Sequence, residues 1–77
     1  MKNAITEREK DITRRILEGA THEAASIVYG ISTERARQIF FKTIMQLGYE
    51  KAHVSEYRAK SLEILKKLYL GGTYEPR

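Results

Sequence analysis

The chain has 77 residues, which is enough for one small domain and too few for two. Fourteen Lys and Arg residues against ten Asp and Glu residues give a formal net charge of +4, which suits an acidic partner. The sequence has no cysteine, which excludes disulfide bridges and thiolate metal sites. It has no apolar run long enough to cross a bilayer, and its first residues, MKNAITEREK, lack the apolar core of a signal peptide. We therefore expect a cytoplasmic protein.

Four segments of the chain show the helical spacing of apolar residues, and none shows the sustained alternation of a strand. The first helix is predicted to begin with residues 6–9, TERE, which have the form of a capping box. In that motif a hydroxyl and a carboxylate each satisfy a backbone N–H at the start of a helix. Ile12, Ile16 and Leu17 then recur at helical spacing and are predicted to face the core.

The second and third predicted helices are joined by a turn that contains glycine. Thr21 is predicted to cap a short helix over residues 22–29, and Gly30 ends it, because a tight turn there needs a left-handed residue. Ser32 is the natural N-cap of the third helix, residues 33–47. The inner face of that helix is predicted to consist of Ala36, Ile39, Phe40, Thr43 and Leu47. Its outer face is predicted to carry Glu34, Arg37, Gln38, Phe41 and Met45.

The fourth helix is predicted to run from about Ser55 to Leu70, where Gly71 and Gly72 end it. Its apolar stripe consists of Tyr57, Ser61, Ile64, Leu65, Leu68 and Tyr69. The predicted fold class is therefore all-α, with about four helices in a single domain over residues 1–77. Within it, residues 5–48 are predicted to hold the first three helices, and residues 49–77 to form a C-terminal helix and a short tail.

A short helix, a turn with glycine and a second helix with a polar outer face are the parts of a helix-turn-helix. The second helix of such a motif fits the major groove of DNA, where side chains of its N-terminal half contact base edges. There Arg37 can bind guanine, Gln38 can bind adenine and Glu34 can accept a hydrogen bond from cytosine. Thr33, at the helix start, is predicted to contact a base or a phosphate. The predicted phosphate contacts are Arg35 and Lys42.

Residues 21–47 resemble, without gaps, the helix-turn-helix in the fourth region of bacterial primary sigma factors. The closest part is ERARQI, residues 34–39, followed by Lys42 and Leu47. The segments ITERE and LEGA also resemble the opening of LuxR/FixJ-type output domains. The resemblance implies that three residues read bases in the upstream promoter hexamer and that Arg35 contacts the DNA backbone. The three are Glu34, Arg37 and Gln38.

The sequence also departs from the sigma-factor pattern. A chain of 77 residues cannot by itself hold the regions with which a complete sigma factor binds core polymerase and melts a promoter. Thr33 stands where the family commonly has Arg, and Ile27 and Val28 replace residues that are usually basic or polar. Phe40 and Phe41 replace a charged residue and a small one. The family's sequence preference therefore does not transfer to this chain.

Three apolar residues, Ile27, Phe41 and Met45, are predicted to point away from the core, which indicates a covered surface. Four covers are open at this point: the fourth helix of the same chain, the fourth helix of a second chain in a homodimer, a thymine methyl beneath Phe41, or a foreign protein. In a homodimer, five residues of the fourth helix would form the interface, and otherwise they complete the monomer core. They are Tyr57, Ile64, Leu65, Leu68 and Tyr69.

These patterns predict a small bacterial or phage transcription regulator that binds double-stranded DNA sequence-specifically and is associated with the nucleoid. The alternative is a protein-interaction module that binds RNA polymerase or a sigma partner by imitating region four. Catalysis is not expected, because His22 and His53 are too isolated to act as metal ligands or general bases. No cofactor and no metal site are predicted.

Overall fold

The computed structural model describes residues 5–71 of the chain, with side chains described as far as Tyr69. Within that range all regular elements are helical, which confirms the predicted all-α class. The elements are α1 (Glu7–Leu17), α2 (His22–Tyr29), α3 (Thr33–Gln46), α4 (Val54–Ala59), α5 (Ser61–Lys66) and a π-helical turn (Lys67–Gly71) that continues α5. The predicted stop at Gly72 and the tail from Thr73 to Arg77 lie outside the described residues.

The first three helices begin at the predicted caps. The Thr6 hydroxyl accepts from the Glu9 backbone N–H at 3.2 Å, and the Thr6 N–H donates to the Glu9 carboxylate at 3.1 Å, which completes the capping box. The hydroxyls of Thr21 and Ser32 each accept from the backbone N–H three residues later at 3.0 Å. Each such cap stabilises its helix by about 1 kcal/mol. The starts of α1, α2 and α3 are therefore encoded within four residues of sequence.

The turn between α2 and α3 consists of residues 30–32 and depends on Gly30. Gly30 is left-handed, with φ 65° and ψ 32°, and its N–H donates to the Ile27 carbonyl at 3.2 Å. The next N–H, that of Ile31, donates to the Ser26 carbonyl at 3.1 Å, so the turn satisfies two of the last four carbonyls of α2. No other group approaches the position where a Cβ would lie on Gly30, so backbone conformation alone selects glycine there.

The core forms where α1 and α2 pack against the inner face of α3. Four of the five residues predicted for that face are buried, and Leu47 is half-buried. Ile44 is also fully buried, although the sequence pattern placed it on neither face. The small residues Ala25 and Ala36 are both buried. The largest fully buried apolar side chains are Phe40, Ile12, Ile16, Ile39, Ile44, Ile64 and Leu68.

The predicted continuous fourth helix is wrong, because the chain turns at Lys60 (φ −108°, ψ 20°) and divides it into α4 and α5. Neither proline nor glycine marks the break. Instead α4 is held by side-chain hydrogen bonds to backbone carbonyls of other segments. The Arg58 guanidinium donates from Nε to the Ile16 carbonyl at 2.9 Å and from Nη2 to the Ala20 carbonyl at 2.8 Å. The Tyr57 hydroxyl donates to the Glu50 carbonyl at 2.5 Å.

A second polar network fixes the end of α2 on α1. Asp11 accepts hydrogen bonds from the Tyr29 hydroxyl, from Arg15 Nε at 2.8 Å and from Arg14 Nη2 at 2.5 Å. The Tyr29 hydrogen bond is the largest cause that lowers the pKa of Asp11 to about 2, followed by the bond from Arg15. The carboxylate is therefore charged throughout the neutral range and binds α2 to α1 there.

Candidate nucleic-acid interface

The N-terminal half of α3 lies on the surface as predicted. Glu34, Arg37 and Gln38 are all exposed, with the side chains of Glu34 and Arg37 58% and 49% accessible to solvent. Thr33 and Arg35 are exposed as well. The opposite face of the same helix is buried in the core, so α3 cannot rotate these side chains away from solvent without unpacking. The outward orientation predicted for the proposed reading residues is therefore confirmed.

The two charged members of this face are bound to each other. Arg37 donates to the Glu34 carboxylate from Nε at 3.2 Å and from Nη2 at 2.5 Å. This hydrogen bond lowers the pKa of Glu34 and raises the pKa of Arg37, so both remain charged near neutral pH. The pair holds one edge of the guanidinium and leaves the Nη1 donors open for another acceptor. Because exposed ion pairs contribute little, a ligand that offers better acceptors can replace Glu34.

The two predicted phosphate contacts lie on the opposite margin of α3 from Arg37. Arg35 is exposed, and Lys42, seven residues later, is 57% exposed. Lys42 also donates to Glu9 of α1 at 3.2 Å, a contact that the sequence did not predict. Burial raises the pKa of Glu9, but the Thr6 N–H and Lys42 outweigh it, so the pKa lies below its ordinary value. The bond to Glu9 therefore positions the Lys42 ammonium and uses only one of its three N–H donors.

Phe41 does not stand on the surface as predicted. It is half-buried, and its ring lies 5.2 Å from that of Phe40, 6.1 Å from that of Tyr57 and 6.2 Å from that of His22, between centroids. The cover is thus α4 of the same chain, one of the four alternatives left open by the sequence. Ile27 and Met45 are exposed as predicted, at 70% and 53%.

The C-terminal residues predicted as a possible dimer surface mostly complete the core of the single chain. Tyr57, Ile64 and Leu68 are at most 3% exposed, and Leu65 is half-buried, so of the two alternatives the burial favours completion of the monomer core. Tyr69 is more accessible, but its ring lies 5.8 Å from the Lys10 ammonium of α1. These side chains are buried because a chain of this length has few other apolar residues with which to cover α1 and α3. Leu62 is 76% exposed, and the sequence pattern did not predict it as an apolar surface residue.

A groove of about 630 Å³ runs beside α3 on the Arg37 margin. Its principal lining residues are His22 of α2, Arg37 and Phe41 of α3, Lys51 and His53 of the loop after α3, and Glu56 of α4. Lys51 and His53 were not predicted from the sequence as part of this groove, since the loop that contains them carries no periodic signal. The sequence indicated this groove only through Arg37 and Phe41, which are four residues apart and therefore lie on the same side of α3.

His22 forms one wall of the groove and is held as a neutral side chain. Its ring centroid lies 5.9 Å from that of Phe40, and its Nε2 is buried without a hydrogen-bond partner. Burial is the main cause that lowers the pKa of His22, and the positive charges of Arg37 and Arg58 lower it further. Both positive charges act against protonation of the ring, in the same direction as burial.

Comparisons of the chain with protein-family models, curated proteins and solved structures give no match. The resemblance to sigma-factor region four therefore stays a prediction. None of the described helices is both long and apolar enough to cross a membrane. Among residues 5–71, no three His, Cys, Asp or Glu side chains are grouped so that they could hold a metal ion.

Proposed function

We propose that the protein binds double-stranded DNA sequence-specifically, as a small transcription regulator that places α3 in the major groove. The observation that carries this proposal is the exposed pair Arg37 and Gln38, adjacent on the N-terminal half of a helix whose other face is fixed in the core. A reading helix needs both properties, because base edges are recognised only by side chains that project from a rigidly held backbone.

In this proposal the three polar residues of α3 have distinct roles. Arg37 donates two hydrogen bonds to guanine, and Gln38 uses its amide to bind adenine. Glu34 holds the guanidinium of Arg37 before DNA arrives, which limits the side-chain entropy lost on binding. Its remaining lone pairs can accept from cytosine. Arg35 and Lys42 bind phosphates of the strand beside their margin of α3, and their role is positional rather than sequence-specific.

The electrostatics of the chain support a nucleic-acid partner of modest affinity. The formal net charge is +4, so few phosphates can be neutralised by one molecule. Binding should weaken with salt in proportion to the number of phosphate contacts, and base contacts should supply most of the selectivity.

Selection from a pool of random duplexes, followed by mobility shift, tests the proposal. We expect the wild-type chain to enrich one sequence class. Arg37→Ala should lose about 10–100-fold of discrimination at one base position, while its nonspecific affinity falls only slightly. Arg8→Ala is the matched control, because Arg8 is exposed on α1 and its loss removes the same charge. If Arg37→Ala retains the parent's preference at every position, α3 is not the reading helix.

A second candidate function is supported by exposed apolar residues. Ile27 and Val28 of α2 are exposed at 70% and 52%, at positions where solvent would favour polar side chains. A protein-interaction module that binds RNA polymerase or a sigma partner would use such residues. A pull-down with purified RNA polymerase after nuclease treatment separates the two candidates. Capture that is lost in Ile27→Ser and retained in Arg37→Ala would favour the interaction module over DNA binding.

A further inference from the structure

The groove beside α3 has a mixed lining that suits one class of ligand. Its floor is apolar, formed by the half-buried Phe41 and by Val54, while Arg37 and Lys51 place positive charges at its edge. A nucleic-acid strand has the same two parts, since the C–H faces of the deoxyribose are apolar and each phosphate carries a negative charge. Arg37 already pairs with Glu34, so Lys51 is the cation for which a purely apolar ligand would supply no counter-charge, and a bare inorganic anion would leave the apolar floor uncovered.

The position of the groove follows from the geometry of α3. Positions 37 and 41 lie one turn apart and form one margin of the exposed face, and positions 35 and 42 form the other. A helix about 10 Å wide in a major groove about 12 Å wide is flanked by a phosphate strand on each side. Arg35 and Lys42 face one of these strands. The other strand has to pass the margin where the groove lies.

We propose that the groove holds a stretch of the sugar–phosphate backbone of bound DNA, with Lys51 as its main phosphate contact and His53 as a second. This inference rests on the proposed function, because it takes α3 to lie in the major groove. It adds a phosphate-binding element outside the helix-turn-helix, in the loop that leads into α4. Both side chains are exposed, so a strand can reach them without movement of the core.

Two other residues of the lining set the limits of this contact. His22 acts as a wall and offers no phosphate contact through Nε2, because that atom is buried and the ring packs on Phe40 and Phe41 of α3. Glu56 is the one carboxylate among the lining residues, and it repels phosphate. Its charge favours a path of the strand nearer to Lys51. Glu56→Gln should therefore increase affinity for DNA, in the opposite direction to a change at Lys51.

The test is the salt dependence of binding to the duplex recovered by selection. Each phosphate contact adds about 0.9 to the slope of log K against log salt. Lys51→Gln should therefore reduce the slope by about one. Between about 50 and 200 mM salt, its affinity deficit against wild type should shrink roughly threefold. Lys66→Gln is the matched control, since Lys66 is exposed on α5 and takes no part in the groove. Its slope should equal that of wild type.

A neutral phosphate in the DNA identifies the contact directly. Methylphosphonate is placed at single positions along the strand that flanks the selected site. One position should weaken wild type by the same factor as Lys51→Gln, and the variant should show no further loss there, because the two changes remove one interaction. Circular dichroism and thermal unfolding of each variant establish that it is folded.

The outcomes separate this inference from the proposed function. If Lys51→Gln keeps the wild-type slope, or if its loss adds to that of every methylphosphonate, the groove does not hold the strand. In that case the Arg37→Ala result still stands as the test of the reading helix. If the wild-type chain binds no duplex in the selection, both the proposed function and the groove assignment are wrong.

Discussion

The contact that fixes α4 on α1 gives the strongest stability prediction. Arg58 is an exposed residue, and a surface arginine is ordinarily replaceable at little cost. Here its guanidinium donates to two backbone carbonyls near the end of α1, those of Ile16 and Ala20. The positive charge also lies where the dipole of α1 is negative. We therefore expect Arg58→Ala to destabilise the fold far more than an exposed position suggests.

The magnitude follows from the two bonds. Hydrogen bonds to charged groups contribute about 1.5–3 kcal/mol when partly buried, and less when water replaces the donor. The bond to Ile16 is partly buried, whereas the bond to Ala20 is exposed, and the Ile16 carbonyl also accepts from the Gly19 N–H. The expected loss is therefore about 2 kcal/mol. For a domain of this size, that corresponds to a fall in Tm of about 10 °C.

Urea unfolding followed by circular dichroism measures this loss. Arg8→Ala controls for the removal of a positive charge, and Arg58→Lys keeps the charge while losing the two-pronged geometry. We expect the lysine variant to recover less than half of the stability, because one ammonium cannot reach both carbonyls along the same directions. Equal midpoints for Arg58→Ala and Arg8→Ala would refute the reasoning, since the bonds would then contribute nothing beyond charge.

Three further predictions concern single positions. Gly30→Ala should lower the free energy of unfolding in urea by about 1 kcal/mol, because an L side chain is strained at φ 65°. Gly30→Asn should lower it by less, and equal losses in the two variants would exclude backbone strain. Thr43→Val should raise the unfolding midpoint and leave DNA binding unchanged, because the buried Thr43 hydroxyl has no hydrogen-bond partner; a lowered midpoint would indicate a bridging water. The pKa of His22 in the folded chain is lowered from 6.5. Near and below that pH, the unfolded chain therefore binds a proton more readily than the folded chain does. The free energy of unfolding should consequently fall as the pH drops below about 6.5. Unfolding at about pH 7.5 and about pH 5.5 measures this loss, which should be smaller in His22→Gln.

The parts of the fold that the sequence predicted are those with a local cause. Thr6, Thr21 and Ser32 each bond to a backbone N–H three residues away, so the signal and its effect lie in the same short window. Gly30 likewise acts within one turn. The inner face of α3 follows from helical period alone. The burial of Ile44 was not predicted, because Ile44 lies at the edge of that face, where the helical period alone does not distinguish core positions from surface positions.

The parts that the sequence did not predict depend on contacts between distant segments. Arg58 donates hydrogen bonds to Ile16 and Ala20, which lie 42 and 38 positions earlier in the chain. No sequence pattern around Lys60 predicts the turn between α4 and α5. The burial of Phe41 has the same origin, because its cover, Tyr57, belongs to α4. The pairing of Glu34 with Arg37 could have been found, since the two are three residues apart on a helix.

This division extends to the proposed DNA interface. The residues proposed to read bases lie on α3, whose orientation is set by local caps and by the core, so their exposure could be predicted from the sequence. The groove is lined by residues of α2, of α3 and of the segment that leads into α4, and Arg58 holds α4 in place. A chain that loses Arg58 but remains folded should therefore keep its base preference and lose part of its salt-dependent affinity. In this proposal base preference depends on α3 alone, whereas backbone affinity depends on α3 and on the groove, so the share contributed by the groove should be separable by mutation.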